Sequence, residues 1–245
     1  MFHYEINPTF NEFKDDLLNI RDHFDNSSNS IHKARNELKI LQLHNRSVVV
    51  KSFKVLNIIR KIYYKYFRDT KAKKSYIYAL KIGSFTPEPI GYIEFYKDNL
   101  LQDSYFLAQN FQYDFTIREP LLDKKFPKRD DIFKAFTSFT YKLHQNNILH
   151  KDYSPGNILV KKENDNYIFK IVDINRMEFK KLSLKQRLQN FDKLWADDED
   201  LIIIATQYAS LINLDKKTLI KDTLSYSNQL KKRKNIKKTI KRILQ

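Results

Sequence analysis

Hydrophobic and polar positions alternate over short stretches in the first part of the chain and fall at helical spacing in much of the remainder. Ser47-Val48-Val49-Val50-Lys51 is a β-branched run that predicts a strand, and 31–43 supplies one or two more, so residues 1–50 read as strand-rich. Between Phe24 and Ile31, Asp25-Asn26-Ser27-Ser28-Asn29-Ser30 is a turn-forming cluster. Ile58, Ile59, Ile62, Tyr63, Tyr66 and Phe67 recur at helical spacing and predict a helix over 57–82, ended by Gly83 and followed by Thr86-Pro87-Glu88-Pro89. Strands are expected at 90–96 and 105–109. From about residue 115 the pattern turns helical, with Asp130 and Asp131 opening a helix through Phe133, Phe136, Phe139 and Leu143, acids at its positive end. Short strands at 158–162 and 167–172 follow, and helices fill the rest, with Trp195 read as core. The chain is expected to be α+β: an antiparallel sheet plus helix over 1–112, and a helical part over 113–245 that ends in a basic tail.

Composition narrows this picture. Of 245 residues 42% are hydrophobic and 14% aromatic, enough for a sizeable core, which excludes whole-chain disorder. The absence of Cys excludes a disulfide scaffold, a thiolate zinc site and a Cys nucleophile, and suits a reducing cytosol. The start shows no basic segment followed by an apolar run, so no signal peptide is expected. The most apolar stretch, 201–214, is interrupted by Thr206, Gln207 and Ser210 and is too short to span a bilayer, so a soluble or peripheral protein is expected. Only three glycines occur, Gly83, Gly91 and Gly156, which excludes the GxGxxG and GxxxxGK phosphate loops.

The formal net charge is +16, unevenly spread. Eight of the twelve residues over 231–242 are basic, and Ile236, Ile240, Ile243 and Leu244 form one helical stripe among them. That is the pattern of a basic helix lying on an anionic membrane surface through 231–244; a solvated terminus is the plainer alternative. A second basic region, 51–81, carries ten Lys or Arg against the single acid Asp69, and suits an acidic substrate or a solvated helix face. No finger, RRM or recognition-helix signature accompanies the charge, so no nucleic-acid partner is expected.

The chemistry concentrates in His150-Lys151-Asp152-Tyr153-Ser154-Pro155-Gly156-Asn157, a His-x-Asp-x-x-x-x-Asn loop between a helix end and a strand. Sixteen residues after Asn157 comes Asp173, directly behind the apolar pair Ile171-Val172. Phosphoryl transfer needs a carboxylate to orient and deprotonate the attacking hydroxyl, and oxygen ligands for the metal on the nucleotide phosphates. An Asp and an Asn five apart on one loop can face such a centre, a second Asp can join from a neighbouring strand, and Lys51 at the end of an early strand completes the set. Each residue alone is more often a cap or a surface charge; the ordered set points to a two-lobed, protein-kinase-like fold.

With those residues in place the sequence resembles the lipopolysaccharide core kinases, the Kdo/heptose kinase group of the protein-kinase-like superfamily. Val50-Lys51-Ser52-Phe53-Lys54, Ser75-Tyr76, Thr86-Pro87-Glu88-Pro89-Ile90, Ser104-Tyr105-Phe106, Asp173-Ile174-Asn175-Arg176-Met177, Phe191-Asp192-Lys193-Leu194-Trp195 and Tyr208-Ala209 look like that family's blocks, over roughly 24–212. The catalytic loop alone would fit aminoglycoside or choline kinases equally well. The resemblance implies that Lys51 holds the α/β-phosphates of ATP, that Asp152 is the catalytic base, that Asn157 and Asp173 bind Mg²⁺, and that His150 braces the loop. Ser27, Ser28, Gln109 and Asn110 are the other nucleotide-binding candidates. The implied acceptor is an anionic glycolipid, through a sugar hydroxyl of the lipopolysaccharide inner core and Kdo in particular. The implied place is the cytoplasmic face of the inner membrane of a Gram-negative bacterium. No oligomeric state is implied.

Two features depart from the kinase pattern. The helix Glu that usually pairs with the strand Lys is replaced by Ile77, and no acid occurs between Asp69 and Glu88. Either Glu88 or Glu94 substitutes, or Lys51 works without a helix partner, or activity is impaired. The glycine-rich loop is missing as well, leaving Asp25 to Ser30 as the turn that would present backbone N–H groups to phosphate. A small-molecule kinase and a catalytically dead membrane-surface scaffold therefore stand as alternatives.

Overall fold

The computed structural model describes residues 1–28, 30–33, 36–54 and 69–243. The described chain divides into two compact units, one of residues 1–112 with 173–175, the other of 113–172 with 176–245.

The first unit is built on a six-stranded antiparallel sheet. Its strands are β1 (Phe2–Ile6), β2 (Ser30–Lys33), β3 (Glu37–Leu43), β4 (Arg46–Lys54), β5 (Pro89–Lys97) and β6 (Leu100–Gln109), in the order β1-β5-β6-β4-β3-β2. The period-2 pattern of β4 sends Val48 and Val50 into one core with Leu41, Ile93 and Leu107, while Phe53 joins Tyr92 and Phe106 in a second core. The second core is closed by α3 (Lys71–Ile82) through Ala72 and Tyr76. Lys51 shares strand parity with Phe53, so it leaves the sheet on the α3 side.

The expectation that residues 1–50 are mainly strand is corrected over 8–26. A 3-10 turn (Pro8–Phe13), α1 (Lys14–Leu18) and α2 (Ile20–Asn26) occupy that stretch. The cause is legible in retrospect: Phe10, Phe13, Leu17, Ile20 and Phe24 are spaced three and four apart, and all are buried against the sheet. Pro8 suits a helical first position. The helix expected over 57–82 is also corrected. Its described part starts at Lys71, because Thr70 takes an extended backbone and its hydroxyl accepts the Lys73 N–H at 3.1 Å; 57–68 and their apolar stripe lie outside the described residues. Gly83 does end the helix, at φ 55°.

The second unit carries α4 (Arg118–Leu122), α5 (Arg129–Gln145), α6 (Leu184–Asn190), α7 (Asp198–Ile212) and α8 (Lys216–Ile243). Two small antiparallel sheets complete it: β7 (Phe115–Thr116) with β9 (Ile158–Glu163) and β10 (Asn166–Ile171), and β8 (Ile148–His150) with β11 (Met177–Phe179). Ile132, Phe133, Phe136, Thr140 and Leu143 make the buried face of α5. Asp197 caps α7 by accepting the Asp200 N–H at 3.0 Å, and buried Asp200 pairs with Arg129, so this acidic cluster stabilises a helix start. Trp195 is not core: it ends a 3-10 turn with a left-handed backbone and is 51% exposed.

Candidate active site

The loop between β8 and β9 is held by bonds that leave one carboxylate outward. His150 is buried. Its Nδ1 accepts the Asp152 N–H at 3.1 Å and its Nε2 donates to the Val172 carbonyl at 2.9 Å, so the ring is the neutral Nε2–H tautomer and ties the loop to the end of β10. Asn157 donates its amide N–H to the Asp152 carbonyl at 2.9 Å, closing the turn from the other end. Pro155 starts a 3-10 turn to Asn157. What remains is the Asp152 side chain, 44% exposed, with the Arg176 guanidinium 3.7 Å from Oδ2.

The first unit holds the other pair. Lys51 Nζ donates to Asp173 Oδ1 at 2.6 Å, and the same oxygen accepts from Asn175 Nδ2 at 2.7 Å. Asp173 takes a left-handed φ of 58°, a conformation Asp tolerates better than most residues. The acid that Lys51 meets is thus Asp173. Ile77 is exposed on α3, and Glu88 is exposed too. Glu94 is buried in the sheet, where it accepts from Thr70 Oγ1 at 2.7 Å and Tyr96 OH at 2.8 Å. Glu94 therefore does not substitute for a helix Glu.

The remaining nucleotide-binding candidates fall at two places in the first unit. Ser27 ends α2, and its carbonyl accepts from the buried Lys39 Nζ at 2.7 Å; the Ser28 carbonyl accepts the Ser30 N–H at 2.8 Å. Gln109 and Asn110 lie at the end of β6. The Gln109 N–H donates to the Glu88 carbonyl at 2.9 Å, and Asn110 donates from its backbone and side chain to Ser47 at 3.0 Å each.

Sequence reasoning missed the support behind the loop. Asn190, at the end of α6, donates Nδ2 to the His150 carbonyl at 3.0 Å and accepts from His144 Nε2 at 3.2 Å. His144 Nδ1 in turn accepts from Tyr208 OH at 2.8 Å. Burial pushes the His144 pKa down from 6.5 to about 4, so this imidazole is neutral near pH 7. Tyr153 stacks on Phe136 and shares a 2.8 Å hydrogen bond with Thr140. His144 and Thr140 lie on the buried face of α5, and that face was the available signal. Nothing local in the sequence distinguished Asn190.

Residues 119–217 match the family model described as lipopolysaccharide kinase (Kdo/WaaP) family. Comparison with curated protein sequences finds no match. Among solved structures, WaaP in complex with acyl carrier protein matches with a TM-score of 0.61 at 10% identity, covering 94% of this chain and 97% of that one. At that identity the likeness shows the fold, a kinase-like α+β arrangement, while the family match falls on the segment that carries Asp152, Asn157 and Asp173. Over residues 119–217, then, this chain is similar to the lipopolysaccharide kinase (Kdo/WaaP) family.

Proposed function

We propose that this protein transfers the γ-phosphoryl group of ATP to a hydroxyl of Kdo in the lipopolysaccharide inner core. The observation that carries the reading is the Asp152 carboxylate, exposed on a loop that His150 and the Asn157 side-chain amide hold in place. Asp152 accepts the proton of the attacking hydroxyl; the freed oxygen bonds to the γ-phosphorus, the bond to the β-γ bridging oxygen breaks, and ADP leaves. Lys51 sets its ammonium against the ATP phosphates, and His150 keeps the loop in register from behind. The acids and amides assigned to the metal, Asn157 and Asp173, offer oxygen donors only, which fits Mg²⁺, a hard cation that keeps several waters and phosphate oxygens in its shell. Asn157 and Asp173 would hold the ion, and its chemistry when bound would be neutralisation of phosphate charge.

A lipopolysaccharide acceptor favours the cytoplasmic face of an inner membrane, and no helix among the described residues is long and apolar enough to cross a bilayer. The basic C-terminal segment meets an anionic lipid surface. The partner in the WaaP structure is an acyl carrier protein. For this chain we extend that only to an acidic protein partner, which a net charge of +16 would attract. Aminoglycoside-type acceptors, being cationic, suit that charge poorly.

The test is transfer of label from Mg-ATP to a Kdo-bearing lipid A acceptor. Label is expected in the lipid fraction, and Asp152→Ala should lower kcat by about 10²-fold or more while nucleotide binding persists. Turnover undiminished in that variant would remove Asp152 as the base. Binding of ATP without label in the lipid would remove Kdo as the acceptor.

A further inference from the structure

Next to the loop that carries Asp152, the second unit holds a cavity of about 360 Å³ that none of the roles above employs. Three elements wall it. Leu149 and Lys151 flank His150 on one side, Asp192 and Lys193 follow α6 on the second, and Tyr226 and Arg233 of α8 close the third.

Asp192 sets the chemistry. It is 7% exposed, and its Oδ1 has no hydrogen-bond partner among the described residues. A buried carboxylate oxygen without a donor is rare in folded proteins and marks a place where something else donates. The cations around it are not consumed by internal pairing. Lys151 has Glu178 at 2.7 Å, whereas Lys193 and Arg233 have no acid within 4 Å among the described residues; Lys193 and Lys231 act on Asp192 from farther off. A bare phosphate would satisfy those cations and face Asp192 as a like charge. A neutral sugar would donate hydroxyls to Asp192 and leave Arg233 without a counterion. A ligand that answers both carries several hydroxyl donors and one anionic substituent, and side-chain amides of α6 and the Tyr226 hydroxyl add the polar lining such a ligand uses.

We infer that this cavity binds an anionic sugar, its hydroxyls donating to Asp192 and its carboxylate or phosphate meeting Lys193 and Arg233. The inference rests on the lipopolysaccharide reading and adds the place where a sugar of the acceptor is gripped, one residue along the chain from Asp152. It also gives the middle of α8 a binding role separate from any lipid contact made by its end.

The test is calorimetric titration of the full chain, without nucleotide, by four probes: free Kdo, glucose 6-phosphate, glucose and inorganic phosphate. One or both of the first two should saturate, and glucose and phosphate should bind at least about tenfold more weakly. The stronger of the first two tells whether carboxylate or phosphate is the recognised group. Asp192→Asn and Arg233→Ala should each weaken that binding about tenfold while unfolding at the wild-type temperature. Arg233 is exposed on its helix, so its truncation tests the site even if Asp192→Asn compromises folding. Absence of saturable binding by either anionic sugar, or binding unchanged in both variants, overturns the inference. Because no transfer is read, that failure leaves the kinase reading standing. Binding lost in the variants, together with no transfer to any lipopolysaccharide acceptor, would bring down the kinase reading and keep the site.

Discussion

At the scale of single residues, the loop that carries Asp152 is held by side chains that do not themselves reach out of it. The chain of bonds from Tyr208 through His144 and Asn190 to the His150 carbonyl works only while His144 is neutral, because Nδ1 must accept from the tyrosine. Its pKa of about 4 in the folded protein lies below the ordinary 6.5, so between those values the unfolded chain binds the extra proton. Stability from this group is therefore complete above about pH 6.5 and lost as pH falls towards 4, by about 3 kcal/mol in full. Denaturant unfolding followed from pH 7 to 4 should show that loss, and His144→Gln should flatten that part of the profile; an unchanged slope in the variant would place the titration elsewhere.

At the scale of elements, the close approach of β1 to β5 depends on one glycine. A Cβ on Gly91 would lie 2.7 Å from the Glu5 carbonyl oxygen and 3.1 Å from Leu17 Cδ2, so backbone has to move. Gly91→Ala is expected to cost about 1–3 kcal/mol, read as a lower midpoint in urea with an unchanged slope. The long α8 behaves differently along its length. Leu219, Thr223 and Ser227 are buried, and Lys231 donates to the Ala196 carbonyl at 2.7 Å, whereas Ile236 and Ile240 are 59% and 50% exposed. If that apolar pair enters a lipid surface, Ile236→Asp with Ile240→Asp should cut cosedimentation with anionic vesicles by about tenfold or more and leave thermal unfolding in place. Equal pelleting of variant and wild type would assign the stripe to solvent.

At the scale of the whole molecule, a charge of +16 makes association with any anionic surface sensitive to ionic strength. Vesicle binding should fall steeply between about 0.05 and 0.5 M salt, since the screening length of exposed charges drops from about 14 Å to about 4 Å over that range. Binding insensitive to salt would point to apolar insertion alone.

How far the sequence reached follows from how local each signal is. The strand over 47–51, the helix stop at Gly83, the acids opening α5 and the His-x-Asp-x-x-x-x-Asn spacing are properties of a few neighbouring residues, and each stands in the structure where the sequence put it. The family match rests on the same kind of local order. The helical stretch over 8–26 was also local, written in the three- and four-residue spacing of Phe10 to Phe24, and polar residues between those positions disguised it. Other features were decided only by packing. Lys51 could not be paired by sequence, because its acid, Asp173, lies 122 residues away and a left-handed turn aims it. Asn190 became the support of His150 across 40 residues, and Trp195 was turned outward by the backbone that ends its 3-10 turn. Periodicity and turn chemistry act over one or two turns of chain and so can be read along it. Which buried polar group meets which is settled by burial in three dimensions, where each lost hydrogen bond to water must be replaced by whatever the fold brings near.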